Sequence, residues 1–258
     1  MKQFRILDPN IPDSGARGVC AMAVMTKAPQ AGRVKTRLVP PLSLEEAAEL
    51  NRCFLRDTTV TISNVCSHRP VGDEGKTARA SAVAAYTPVG AESAYKDILP
   101  SDFSLLPQRG NEFGERLYLA VEDLFNCGFD SVCLIDSDSP TVPAENFQQA
   151  VELLSMREDG VVLGPSDDGG YYLIGVKKPH RHLFEQIDWS TERVLNQTIQ
   201  RATEIRLEVK LLPTGYDVDD AVSLRRLRGE LLADTAKADI APYTSEFLAS
   251  LVDRKKLF

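Results

Sequence analysis

Short apolar runs alternate with amphipathic stretches along most of this chain, the pattern of stacked strand–helix units. The first run, VCAMAVM at 19–25, is apolar throughout and reads as a buried strand. Ser43 and Glu46 then have the spacing of a capping box, with Ala47, Leu50 and Phe54 supplying the apolar stripe of the helix it opens. A strand is expected at 82–86, and a helix from Phe113 to Cys127, stopped by Gly128. SVCLI (131–135), VVLG (161–164), YYLIGV (171–176) and LEVKLL (207–212) read as strands. Helices are expected from Pro143 to about Met156, from Ser190 or Thr191 to about Thr203, and from Ala221 to about Leu232. The order predicts one α/β domain over 19–258 with a mostly parallel central sheet flanked by helices. The polar residues 1–18, broken by proline and glycine, read as a flexible N-terminal arm.

Composition narrows the function. The chain has 258 residues, 43% of them hydrophobic and 26% charged, and a formal net charge of −7. That acidic balance argues against a general nucleic-acid binder, which needs a basic face. No apolar run approaches the ~20 residues of a membrane span, and the first eighteen residues lack the apolar segment of a signal peptide. The five cysteines, Cys20, Cys53, Cys66, Cys127 and Cys133, form no CxxC pair and read as buried thiols of a reducing cytoplasm. His68, His180 and His182 have no zinc spacing, and His180 and His182 read as part of a surface loop. Residues 67–81 read as a flexible loop. Its GDEGKT (72–77) ends like a phosphate-binding loop but lacks the required first glycine and a preceding strand.

Against the acidic background, MTKAPQAGRVKTRLVP (25–40) concentrates Lys27, Arg33, Lys35 and Arg37 after the first strand. Three acidic clusters follow later strands: Asp136-Ser137-Asp138, then Asp167-Asp168-Gly169-Gly170, then Asp217, Asp219 and Asp220 in YDVDD. Each cluster also suits an ordinary turn or helix cap, Asp220 above all. Ligands of open α/β sheets bind beyond the carboxyl ends of the strands, so the four segments are placed to converge there. Carboxylates facing cations is the arrangement that a polyphosphate with a divalent ion requires.

KAPQAGRVKTRL, PQRGNEFGERL, DSDSPTVP, GPSDDGGYYLIG, DWSTERVL and DVDDAVSL resemble, in order, the motifs of a bacterial family of nucleotide-diphospho-sugar transferase-like proteins, from about residue 20 to 228. The resemblance implies the glycosyltransferase A fold, shared with phospholactate guanylyltransferases and molybdenum-cofactor nucleotidyltransferases. It implies nucleotide-phosphate binding by Lys27, Gly32, Arg33, Lys35, Thr36 and Arg37, with Lys35 and Asp168 catalytic. It further implies magnesium or manganese held by Asp138 and Asp219, with Asp136, which stands where relatives carry glycine, as a further ligand. Asp168, Gly169, Gly170, Tyr171, Tyr172, Trp189, Ser190 and Thr191 would then face the sugar or the acceptor. The expected partners are a nucleotide sugar or nucleoside triphosphate and a small-molecule acceptor; the sequence sets no oligomeric state. Sugar transfer from a nucleotide-diphospho-sugar is the first reading. Nucleotidyl transfer from a triphosphate to a phosphorylated small molecule is the second, and a non-catalytic nucleotide-binding module the third.

Overall fold

The computed structural model describes residues 4–67, 78–156 and 158–253. The phosphate-loop look-alike at 72–77 and His68 lie outside them. Strands β1 (Arg5–Ile6), β2 (Val19–Lys27), β3 (Arg79–Thr87), β4 (Ser104–Pro107), β5 (Ser131–Ile135), β6 (Gly160–Pro165), β7 (Tyr171–Val176) and β8 (Glu208–Leu211) form one sheet, ordered β1-β4-β3-β2-β5-β7-β6-β8. The pairings are parallel except those of β7, which runs antiparallel to both β5 and β6. The expected single α/β domain with a mostly parallel sheet is therefore the observed one.

Helices α1 (Leu44–Ser67), α2 (Phe113–Asn126), α3 (Ala144–Ser155) and α4 (Val194–Glu204) lie between the strands along the chain. Helices α5 (Ala221–Ala233), α6 (Thr235–Ile240) and α7 (Pro242–Asp253) follow the last strand. Period-2 alternation on β2 explains the layers: Met22 and Val24 enter one core with Phe147 and Val151 of α3, while Ala21 and Ala23 enter a second with Leu117 and Val121 of α2. A third core joins α1, α5 and α7 through Leu50, Phe54, Leu224, Leu227, Leu248 and Leu251.

Several local readings hold. The Ser43 backbone N–H donates to Glu46 (2.9 Å) and the Glu46 N–H to Ser43 Oγ (3.1 Å), the capping box expected at the start of α1. Asp220 caps α5 by accepting from the N–H groups of Val222 and Ser223. Other readings need correction. The arm before residue 19 is tied down: β1 pairs with β4, Leu7 is buried, and the Asp13 N–H donates to the Cys127 carbonyl at 2.8 Å. The third strand begins at Arg79 and not at 82, because parallel pairing with β2 extends its register to Val19. The fourth helix begins at Val194, later than expected. Ser190 adopts φ +64 and the Thr191 hydroxyl donates to the Asp188 carbonyl, making a tight turn in place of a cap.

Candidate active site

The sheet brings the predicted segments together at one end. β2, β5 and β6 run parallel or close to it and deliver the basic loop, Asp136–Asp138 and Ser166–Asp168 to their carboxyl ends, while antiparallel β7 begins there with Tyr171. After β8 the chain returns to the same edge. The Val218 N–H donates to the Asp138 carbonyl (3.0 Å) and the Asp167 N–H to the Gly215 carbonyl (3.1 Å). These backbone bonds hold all three acidic clusters in register.

Lys35 is the centre of the arrangement. Its ammonium donates to Val218 O at 2.7 Å and to Asp219 Oδ1 at 2.8 Å, and lies 2.9 Å from Asp138 Oδ1. Its side chain is 4% exposed and stacks over Phe54. The backbone adopts φ +48, a left-handed conformation uncommon for a residue with a side chain. Burial opposes the charge on Lys35, but Asp138 and Asp219 outweigh it and hold the pKa above the usual lysine value. Lys35 was expected to bind the nucleotide phosphates and act in catalysis; in the structure it joins the two candidate metal ligands.

Two pockets adjoin here. The first, about 340 Å³, is lined by Lys27, Arg33, Lys35, Thr36, Arg37, Ser137 and Asp138. The second, about 380 Å³, takes Asp136, Asp168, Gly170, Tyr171, Tyr172, Trp189, Thr191 and Asp217. Arg37, Ser190 and Asp219 line both. The DSD turn thus splits, Asp138 serving the basic pocket and Asp136 the acidic one. Asp136 accepts from Ser139 Oγ at 2.7 Å, and burial, with Asp138 nearby, pushes its pKa well above the carboxylate range. Asp217 is raised to about 6, by burial first and then by Asp168 and Asp219. Asp168 accepts from the Gly170 N–H at 2.8 Å.

Not every expected residue reaches a pocket. Gly32 shapes the basic loop with φ +72, and Gly169 is a packing position. At φ +90 its backbone lies so close to the Glu192 carbonyl that a Cβ would collide with it, and the Gly169 carbonyl accepts from Leu195 N at 2.9 Å. The Tyr172 hydroxyl is committed, accepting from Asn146 Nδ2 and donating to the Pro213 carbonyl, both at 2.9 Å. Asp167 is turned to Arg226 in an ion pair. The sequence reading missed Phe113, whose ring meets the Trp189 indole edge-on at 5.1 Å, with Tyr171 on Trp189 at 6.5 Å. It also missed Gly114, where a Cβ would lie 2.8 Å from the Phe184 carbonyl and inside contact distance of Trp189 Nε1. Asp217, named in its acidic cluster, was given no role.

A divalent cation suits the donor set. Asp138 and Asp219 present hard carboxylate oxygens that already converge on one cation, the Lys35 ammonium. Among the described residues no three His, Cys, Asp or Glu side chains form a ready cage. Magnesium is commonly held by one or two carboxylates together with substrate phosphates and water, so the pair is sufficient in kind.

Comparison with known proteins gives one family match and several likenesses of fold. Residues 73–191 match the model of the family described as "Uncharacterized protein conserved in bacteria (DUF2064)". No curated protein matches the chain. A crystal structure from Desulfovibrio desulfuricans G20, provisionally described as a nucleotide-diphospho-sugar transferase, is 29% identical with a TM-score of 0.76, and the match covers 92% of this chain and 96% of that one. Over nearly its whole length the chain is similar to that nucleotide-diphospho-sugar transferase-like structure. Two more distant likenesses are a 4-diphosphocytidyl-2C-methyl-D-erythritol synthase from Anaerococcus prevotii DSM 20548 and the inositol-1-phosphate CTP transferase of T. maritima. Each is 14% identical with a TM-score of 0.48; they cover 81% and 90% of this chain, and 94% and 98% of their own. Neither bears on the site. No helix among the described residues is long and apolar enough to cross a membrane.

Proposed function

We propose that the protein is a metal-dependent, nucleotide-using transferase that moves a sugar from a nucleotide-diphospho-sugar to a small acceptor. The observation that carries this reading is the pair of adjoining pockets of opposite character that share Asp219, Arg37 and Ser190. Lys27, Arg33 and Arg37 offer charge to the diphosphate, and Asp138 and Asp219 are the residues to hold magnesium or manganese. When bound, the metal neutralises charge on the leaving diphosphate. The residues themselves do the positioning. Arg37, 75% exposed and 3.9 Å from Asp219, stands where the two pockets meet and is free to swing onto a phosphate. Trp189, Ser190 and Thr191 wall off the acceptor side. The 29%-identical neighbour favours sugar as the transferred group.

A second reading, nucleotidyl transfer from a triphosphate, is favoured by the density of cations in the basic pocket, which suits a third phosphate. Thermal unfolding with a panel of nucleotide sugars and nucleoside triphosphates, with and without magnesium or manganese, separates the two. Metal-dependent stabilisation by nucleotide sugars is expected; stabilisation by triphosphates alone replaces the first reading with the second. No response to any nucleotide sinks both.

A further inference from the structure

The pocket beneath Trp189 differs in chemistry from the basic pocket beside it. Carboxylates of Asp136, Asp168, Glu192 and Asp217 line it, and Arg37, at the shared rim, is the cation among its lining residues. Arg226 on α5 is paired with Asp167 and Glu230. Carboxyl oxygens accept hydrogen bonds, so this floor suits ligands rich in donors, and a phosphate dianion has none to give. Oxygen facing oxygen without a shared proton is unfavourable, so such a dianion is disfavoured there. The same pocket has an aromatic wall, built from Trp189 with Phe113 and Tyr171 edge-on to it. Such a wall fits the C–H face of a ring whose hydroxyls point the other way.

Building on the transferase reading, we propose that the acceptor is a small sugar- or polyol-like molecule carrying no phosphate, seated between the Trp189 wall and the Asp168–Asp217 floor. One of its hydroxyl oxygens attacks the anomeric carbon of the donor sugar. The new C–O bond forms as the bond from that carbon to the diphosphate oxygen breaks, and the electron pair leaves with the nucleoside diphosphate toward Lys27, Arg33 and Arg37. The hydroxyl proton passes to a carboxylate of the floor and on to solvent.

Trp189 is the chain's single tryptophan, so its fluorescence reports this pocket directly. The test titrates the intact protein with glucose and with glucose 6-phosphate, two probes that share a ring and differ in charge. Glucose is expected to change the emission, and glucose 6-phosphate to bind about tenfold or more weakly. Asp168→Asn, which keeps an oxygen for the Gly170 N–H, should narrow the gap. Equal or tighter binding of the phosphate ester overturns the proposal, as does an emission unmoved by either probe. Nucleotide binding by thermal shift on the same samples keeps the two readings apart. Nucleotide sugar binding combined with a preference for glucose 6-phosphate refutes this inference alone. Loss of all nucleotide binding with glucose still preferred refutes the transferase reading and upholds the pocket's ligand class.

Discussion

Lys35 Nζ donates to Asp219 Oδ1 at 2.8 Å across 184 positions of sequence, and the same ammonium lies 2.9 Å from Asp138 Oδ1. The cation of the first loop therefore fastens the second and fourth segments of the site to each other. The link also keeps two carboxylates from repelling one another before any substrate arrives.

Replacing that cation should lower stability and change the response to metal. Lys35→Met removes the buried charge and leaves two carboxylates that are 35% and 46% exposed, so solvent screening limits the loss to about 1–3 kcal/mol. Millimolar magnesium should then stabilise the variant more than the wild type, because both carboxylates are released for it. Thermal unfolding with and without magnesium reads both effects; an equal magnesium response in the two proteins contradicts this role for Lys35.

Gly114 should prove as important to the pocket beneath Trp189 as any polar residue. A methyl group there meets the Trp189 indole and the Phe184 carbonyl, and relieving such overpacking costs about 1–3 kcal/mol. In Gly114→Ala the indole moves off Phe113, so tryptophan emission should shift to the red and probe binding in the pocket should weaken. An unchanged emission spectrum rules out the proposed contact.

A pH effect belongs to the third core, away from the site. Asp57 of α1 is 1% exposed and caps α7, accepting from the N–H groups of Tyr243 (3.0 Å) and Thr244 (2.9 Å) and from the Thr244 hydroxyl (2.6 Å). Burial raises its pKa from 3.8 to about 6, and those hydrogen bonds only partly offset it. The folded protein thus holds a proton that the unfolded chain releases. The stability this contributes is full below about pH 4 and is lost as pH rises through 6, amounting to about 3 kcal/mol for the two-unit shift. Unfolding of wild type and Asp57→Asn across this range should show the slope in the first and its loss in the second. Parallel profiles would show that Asp57 is not the group responsible.

The sequence was most legible where burial is complete on both faces. VCAMAVM and SVCLI are unbroken apolar runs because β2 and β5 sit in the middle of the sheet between two cores. β1 and β4 went unread, being two and four residues long, with most of what defines them supplied by partners. The C-terminal α6 and α7 were also missed; α6 buries no side chain. In the site, the acidic turns were legible because aspartates cluster directly after strands. The burial of Lys35 was not, since a loop with four cations reads as solvent-exposed and only long-range pairing with Val218 and Asp219 draws one of them inside. Gly114 left a faint trace: a glycine in the first turn of an otherwise amphipathic helix weakens that helix and so calls for a packing reason.

The central claim is that the basic and acidic pockets are two halves of one site for transfer from a nucleotide sugar. The most direct measurement follows nucleotide products by chromatography, supplying the protein with magnesium, candidate nucleotide sugars and unphosphorylated sugars or polyols. The account predicts metal-dependent release of nucleoside diphosphate, stimulated by the acceptor and abolished in Asp138→Asn. Pyrophosphate release from a nucleoside triphosphate in its place, or turnover that persists in Asp138→Asn, would contradict it.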